Sequence, residues 1–97
     1  MQHIGIEKIN ELGITLQRSE VNFCDFMVEL YKIKDYKIKF PLLSYIDPYG
    51  DTYFNELQKP DLIRELESFK FDKNLIEEVV NFIKVAKDLE YIKFIGD

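Results

Sequence analysis

The sequence predicts a small α+β domain in which a mainly antiparallel sheet carries about three helices on one face. Three observations lead to this class. Short segments near both ends of the chain alternate apolar and polar side chains, which is typical of half-buried strands. Two segments of the second half instead place apolar residues at helical spacing. No glycine-rich crossover loop joins these segments. The combination of strands and helices therefore indicates the α+β class, in which the helices pack on one face of the sheet.

The length and composition predict one domain spanning residues 1–97. The chain has 97 residues, 46% of them hydrophobic and 32% charged, and its 8 Phe and 6 Tyr provide bulky core side chains. A single cysteine, Cys24, permits no internal disulfide, and no signal-peptide-like series or membrane-length apolar run occurs. We therefore expect a cytoplasmic protein with no membrane-spanning segment.

The first half predicts a hairpin, a helix and a long strand. Ile4 and Ile6 alternate in residues 2–9, and a second short strand follows over residues 14–18 after a turn ending at Gly13. Ser19 has the character of a helix cap, so we expect a helix over residues 20–33, with a strand as the alternative. Alternation over residues 36–40 and a nearly apolar run over residues 42–46 together predict a strand that enters the core, although Pro41 places it at an edge or delays its start to residue 42.

The second half begins with the strongest turn signal in the chain, Asp47-Pro48-Tyr49-Gly50-Asp51. A short strand over residues 52–54 and a helical turn over residues 55–58 follow. Pro60 indicates the start of a helix over residues 60–69, with Asp61 and Glu65 on its solvent face. Asp72 or Asn74 caps a helix over residues 74–89, and residues 91–95 form a last strand or an extended tail.

The charge distribution favours a protein partner over nucleic acid or a membrane. The 18 acidic and 13 basic residues give a net charge of -5, which repels phosphate backbones and anionic lipid surfaces. An acidic protein associates faster with a basic partner, because complementary charge mainly raises the association rate. We therefore expect no nucleic-acid or membrane binding.

No catalytic centre, cofactor site or metal site can be recognised. Asp47 and Asp51 flank a tight turn and could hold a hard cation, but the further oxygen ligands of a calcium loop are missing, and both residues are ordinary turn formers. His3 has no partner histidine or cysteine at a ligand spacing, and Cys24 lies on an apolar helix face, where we expect it to be buried and inert.

The most distinctive remaining feature is an aromatic and acidic segment at the turn. Tyrosines are common anchors of protein interfaces, and carboxylates beside them suit a partner that carries Lys or Arg. Core packing is the alternative role for each tyrosine. The predicted partner-binding residues are Tyr45, Asp47, Tyr49, Asp51, Tyr53, Glu56, Asp61 and Glu65.

Residues 42–55, continued by Gln58, Leu62, Glu65 and Leu66, together with residues 91–97, resemble small bacterial immunity proteins of toxin–immunity systems. The resemblance implies a protein that binds a cognate toxin domain tightly in the cytoplasm and blocks its active site or its access to substrate. It assigns no functional residue.

The leading hypothesis is therefore a non-enzymatic protein-binding module of the immunity type, with a basic toxin domain as the expected partner. The first alternative is a structural or regulatory adaptor that self-associates through Phe and Tyr side chains. The second is a metal-dependent hydrolase that uses Asp47, Asp51 and Glu56.

Overall fold

Four strands form one antiparallel sheet, which confirms the α+β class. The computed structural model describes residues 3–87 and 89–97, and its strands are β1 (Ile4–Ile9), β2 (Thr15–Arg18), β3 (Asp51–Phe54) and β4 (Tyr91–Gly96). Their order across the sheet is β2-β1-β4-β3. The two central strands therefore come from opposite ends of the chain, and β4 is a strand of the sheet rather than an extended tail.

The predicted hairpin between β1 and β2 is confirmed. Gly13 adopts a φ of 81°, a conformation that glycine reaches without a steric penalty. The Asn10 carboxamide oxygen accepts hydrogen bonds from the backbone N–H groups of Leu12 and Ile14, at 2.9 Å each. Asn10 and Gly13 thus fix the turn, as the local sequence predicted.

One face of the sheet packs against the helices. The strands contribute five fully or almost fully buried side chains to the same hydrophobic cluster as the helices: Ile4, Ile6, Phe54, Ile92 and Phe94. Because side chains alternate along a strand, the neighbouring residues project from the opposite face. On that opposite face the strand register aligns Arg18, Glu7, Lys93 and Tyr53 in one cross-strand row.

The first helix, α1 (Cys24–Tyr31), is shorter than the predicted range of residues 20–33. Ser19 does not cap it, because residues before Cys24 still bond to β1. The Asn22 carboxamide oxygen accepts from the N–H groups of Ile4 and Cys24, and the Phe23 N–H donates to the Ile4 carbonyl. Cys24 is buried, as its place on the apolar face predicted.

The predicted strand over residues 36–46 is wrong. This segment forms the short helix α2 (Tyr36–Lys39) and a 3-10 turn over Leu43–Tyr45. Its buried residues Phe40, Leu43 and Ile46 recur every three positions, a spacing that suits a helical path. The chain stays helical near residue 42 because the Glu65 carboxylate accepts hydrogen bonds from the Leu42 and Leu43 N–H groups.

The two helices of the second half agree with prediction except at their ends. Helix α3 (Lys59–Ser68) carries Pro60 in its first turn, and α4 (Lys73–Lys84) is capped by Asp72, whose carboxylate accepts from the N–H groups of Asn74 and Leu75. Helix α4 ends before the predicted residue 89, and Leu89 has a φ of 66° that no right-handed helix contains. Across the described residues, no helix combines the length and apolarity needed to cross a membrane.

Candidate protein-binding surface

The turn between residues 47 and 51 is a fixed structure attached to the central sheet. The Asp47 carboxylate accepts a hydrogen bond from the Tyr49 N–H at 2.9 Å, and the Asp47 N–H donates to the Thr52 hydroxyl at 2.9 Å. At its other end, the Gly96 N–H of β4 donates to the Gly50 carbonyl at 2.8 Å. The predicted chain reversal is confirmed, and its side chains are presented from a well-bonded backbone.

A glycine on β4 allows this close attachment. A Cβ atom added at Gly96 would lie 2.3 Å from the carbonyl carbon and oxygen of Pro48, far inside van der Waals contact. The backbone of the turn can therefore approach β4 only because residue 96 has no side chain. The position of Tyr49 and Asp47 thus depends on a residue that lies far away in the sequence.

Three tyrosines around the turn point into solvent. The exposed fractions are 70% for Tyr45, 69% for Tyr49 and 51% for Tyr53. Tyr45 ends the 3-10 turn whose Leu43 enters the core, and Tyr53 lies on β3 between side chains that face the helices. Tyr45 and Tyr53 are exposed because the residues that follow them, Ile46 and Phe54, enter the core, whereas Tyr49 is exposed because it lies in the turn itself.

Two of the predicted residues lie on β3 rather than in the turn, and they belong to the open face of the sheet. Asp51 and Tyr53 project from the sheet face opposite the helices, where Lys93 lies between them. The Lys93 ammonium is 3.7 Å from the Asp51 carboxylate and 5.6 Å from the Tyr53 ring centroid. Lys93 therefore offsets part of the charge of Asp51, whereas Asp47 has no ion pair among the described residues.

Helices α1 and α2 add one tyrosine each, Tyr31 and Tyr36, which were not among the predicted partner-binding residues. The rings of Tyr31 and Tyr36 meet edge to face with centroids 5.4 Å apart. Burial raises the pKa of the Tyr31 phenol, and the neighbouring Tyr36, Asp47 and Tyr49 raise this pKa further. The end of α1 thus lies beside the turn. The only sequence signal was the duplicated Tyr-Lys-Ile-Lys at residues 31–34 and 36–39.

We define the turn surface as Tyr31, Tyr36, Tyr45, Asp47 and Tyr49. Asp47 and Tyr49 lie in the ordered turn, and the other three tyrosines come from the neighbouring elements, so the surface combines aromatic rings with one carboxylate. Aromatic rings and carboxylates together attract Lys and Arg side chains, through the ring faces and through charge. The arrangement is therefore chemically suited to hold a basic side chain of a partner.

The remaining predicted residues lie elsewhere or have other roles. The exposed Glu56 accepts a hydrogen bond from the Leu89 N–H at 3.3 Å, and the exposed Asp61 pairs with Arg64 one helical turn away. Glu65 was predicted on the solvent face of its helix, and this is wrong. Its side chain is only 8% exposed and bonds to the backbone of residues 42 and 43.

The three carboxylates proposed for a hydrolase have separate partners. Asp47 bonds to the turn backbone, Asp51 lies near Lys93, and Glu56 bonds to the backbone of Leu89. Within the residues that the structure describes, no three His, Cys, Asp or Glu side chains form a group that could hold a metal ion.

Comparison of the chain with protein-family models, with curated proteins and with solved structures gave no match.

Proposed function

We propose that this chain is a non-enzymatic protein-binding module of the immunity type, which binds a cognate toxin in the cytoplasm and neutralises it. The observation that carries the proposal is the turn surface. Its most exposed tyrosines, Tyr45 and Tyr49, are 70% and 69% solvent-exposed beside an acidic side chain on a well-bonded turn. Rigid aromatic side chains lose little conformational entropy on binding and often dominate the energy of an interface.

The charge of the protein supports a basic partner. The chain has a net charge of -5, and Asp47 contributes an exposed carboxylate with no cationic partner among the described residues. A toxin domain with a basic surface would associate quickly with such a protein and would lose access to its substrate once covered. The resemblance of residues 42–66 and 91–97 to immunity proteins motivates the choice of a toxin among basic partners.

The test compares binding by two variants with the same net charge. In the first variant, Asp47→Asn and Asp51→Asn remove two charges, and the asparagine oxygen at position 47 can still accept the bond from the Tyr49 N–H. In the control, Glu77→Gln and Glu78→Gln remove two exposed charges from α4. We expect the first variant to bind the partner captured from native extract about tenfold more weakly, and the control to bind as the parent does.

The toxicity of the captured partner tests whether this chain is an immunity protein. Expression of the captured protein alone should arrest growth, and co-expression of this chain should restore it. A captured partner that is harmless to cells would refute neutralisation. Equal binding by the two variants would show that the partner depends on the charge of neither Asp47 nor Asp51.

A self-associating adaptor is the second candidate, and the hairpin supports it. Leu12, Ile14 and Leu16 are 83%, 56% and 50% exposed beside the edge strand β2. An edge strand offers unpaired backbone groups, and exposed aliphatic side chains favour association. Sedimentation of the purified chain would reveal a dimer, and Leu16→Lys should dissociate it if the hairpin forms the contact.

A metal-dependent hydrolase is the remaining alternative. An ion that binds only the folded chain must raise its melting temperature, so calcium, magnesium and zinc titrations address this reading directly. No rise with any of these ions would exclude the metal-dependent activity, whereas a rise that is lost in the Asp47→Asn, Asp51→Asn variant would show that these carboxylates bind the ion.

A further inference from the structure

A short basic segment lies next to the turn surface and has the opposite charge. Residues 32–39 contain 4 of the 13 basic residues of the chain, Lys32, Lys34, Lys37 and Lys39, and only 1 of its 18 acidic residues, Asp35. The rest of the chain is therefore more acidic than the net charge of -5 indicates. We call residues 32–39 the basic segment.

Most lysines of the basic segment are available to a partner. Lys32 pairs with Glu29 at 3.2 Å. The ammonium groups of Lys34, Lys37 and Lys39 are exposed and make no ion pair or hydrogen bond within residues 3–87 and 89–97. Helix α2 has no buried residue, and Ile38 is 80% exposed. The segment thus presents positive charge around an uncovered apolar side chain.

The backbone of the segment is held at both ends. Ile33 and Tyr36 pack against the hydrophobic core, and Phe40 is buried at the end of α2. The Asp35 carbonyl accepts hydrogen bonds from the N–H groups of Ile38 and Lys39, at 3.0 Å each. Three lysines therefore project from an ordered backbone, so the segment would lose less conformational entropy on binding than a flexible arm would.

We propose that the basic segment binds an acidic segment of a protein partner, next to the site where the turn surface binds a basic side chain. This inference rests on the proposed protein-binding function and extends its surface. Tyr31 and Tyr36 connect the two parts, because Tyr36 belongs to α2 and Tyr31 lies beside Asp47 and Tyr49. The partner would then carry acidic and basic groups side by side.

The charge of the whole molecule favours a short acidic protein segment over a longer polyanion. Nucleic acid and anionic lipid surfaces are larger than one helical turn. The remaining acidic residues of the protein would therefore repel the parts that extend beyond the basic segment. A few Asp or Glu side chains on a partner protein can contact Lys34, Lys37 and Lys39 without approaching the acidic residues elsewhere on the chain. The exposed Ile38 provides an apolar contact between them.

The experiment titrates the isotope-labelled chain with a hexaglutamate peptide and follows backbone amide signals by NMR. We expect saturable shifts confined to residues 34–39 and their neighbours, which weaken as salt shortens the Debye length. A triple variant, Lys34→Glu, Lys37→Glu and Lys39→Glu, should bind the peptide about tenfold more weakly. The control changes three exposed lysines of similar type elsewhere, Lys70→Glu, Lys73→Glu and Lys84→Glu, and should bind as the parent does.

Three results would overturn the inference. Residues 34–39 could remain unshifted, or both triple variants could lose binding equally, which would indicate a response to net charge alone. Anionic vesicles or a single-stranded oligonucleotide could also shift the same signals at lower concentration than hexaglutamate, which would exclude an acidic protein segment as the preferred ligand. Because the titration needs no cognate partner, its failure is distinct from failure of the Asp47 and Asp51 variant to lose the partner.

Discussion

At the residue scale, Glu65 is a buried carboxylate that holds together two distant parts of the chain. It accepts hydrogen bonds of 3.0 to 3.1 Å from the N–H groups of Leu42 and Leu43, which are more than 20 positions earlier. No side chain near residue 42 replaces these bonds. Glu65 thus stabilises the segment that leads into the turn surface.

Replacing Glu65 by Ala should destabilise the fold by about 3 kcal/mol, because two backbone donors near the core lose a charged acceptor. Glu65→Gln keeps one acceptor oxygen and should cost about 1 kcal/mol. The measurement is urea unfolding at neutral pH. Glu67→Ala on the exposed side of the same helix is the control, with an expected change within about 0.5 kcal/mol. Equal losses for Glu65→Ala and Glu67→Ala would mean that the carboxylate bonds add no stability.

Gly96 gives a second residue-scale prediction, since its missing side chain allows the turn to contact β4. Gly96→Ala places a methyl group against the Pro48 carbonyl and should cost about 1 to 3 kcal/mol. The amide signals of residues 47–50 should also move in NMR spectra. Gly5→Ala is the matched control in the adjacent strand, where the added atom meets only ordinary contacts of 3.5 Å or more. Unchanged turn signals in Gly96→Ala would contradict the proposed dependence.

At the scale of the element, the N-terminus of α4 tests which residue caps the helix. The sequence allowed Asp72 or Asn74, and the Asp72 carboxylate accepts hydrogen bonds from two N–H groups of the first turn. Asp72→Ala should therefore lower the free energy of unfolding by about 1 kcal/mol. Asn74→Ala should change it by no more than about 0.5 kcal/mol. Urea unfolding of both variants decides between the two caps, and the reverse ranking would assign the cap to Asn74.

Elements with strong local signals were predictable from the sequence. Asn10 and Gly13 define the first hairpin, Pro48 and Gly50 define the turn, and the apolar stripe of α4 follows the helical period. These signals arise from the conformational preferences and spacing of residues that are close in the sequence. They therefore do not depend on contacts between distant segments. The positions of β1, β2 and β3 follow from the same kind of local pattern, whereas the sequence left open whether each tyrosine of the turn is exposed or packed in the core.

The segment over residues 36–46 shows why other elements were not predictable. Its alternating apolar residues fit a strand, but the Glu65 carboxylate and the core contacts of Phe40 and Leu43 favour helical turns. A contact with a helix more than 20 residues later has no local signal. The same reason applies to the proposed binding surface, because Tyr31 approaches Asp47 only after folding. Glu65 was predicted on the solvent face because its hydrogen-bond partners, the backbone N–H groups of residues 42 and 43, lie in a distant segment of the sequence.

At the scale of the whole molecule, the centre of the sheet joins the two ends of the chain. Ile4 pairs with Gly96, and the register continues to Ile9 opposite Tyr91. The His3 N–H also donates to the Asp97 carboxylate at 3.1 Å. The central strand pair can therefore form only after almost the entire chain has closed into a loop, which costs entropy before any pairing is gained.

A circular permutant should remove this cost. A short glycine-serine linker from Asp97 to His3, with the chain opened between the exposed Lys34 and Asp35, makes β4, β1 and β2 consecutive and keeps α3 beside α4. We expect folding about tenfold faster in stopped-flow experiments, because the long loop becomes a short one. A second permutant, opened between Glu11 and Leu12, is the control, because it makes β1–β4 pairing local but β1–β2 pairing distant. Equal folding rates of the first permutant and the parent would indicate that β1 and β4 pair after the rate-limiting step.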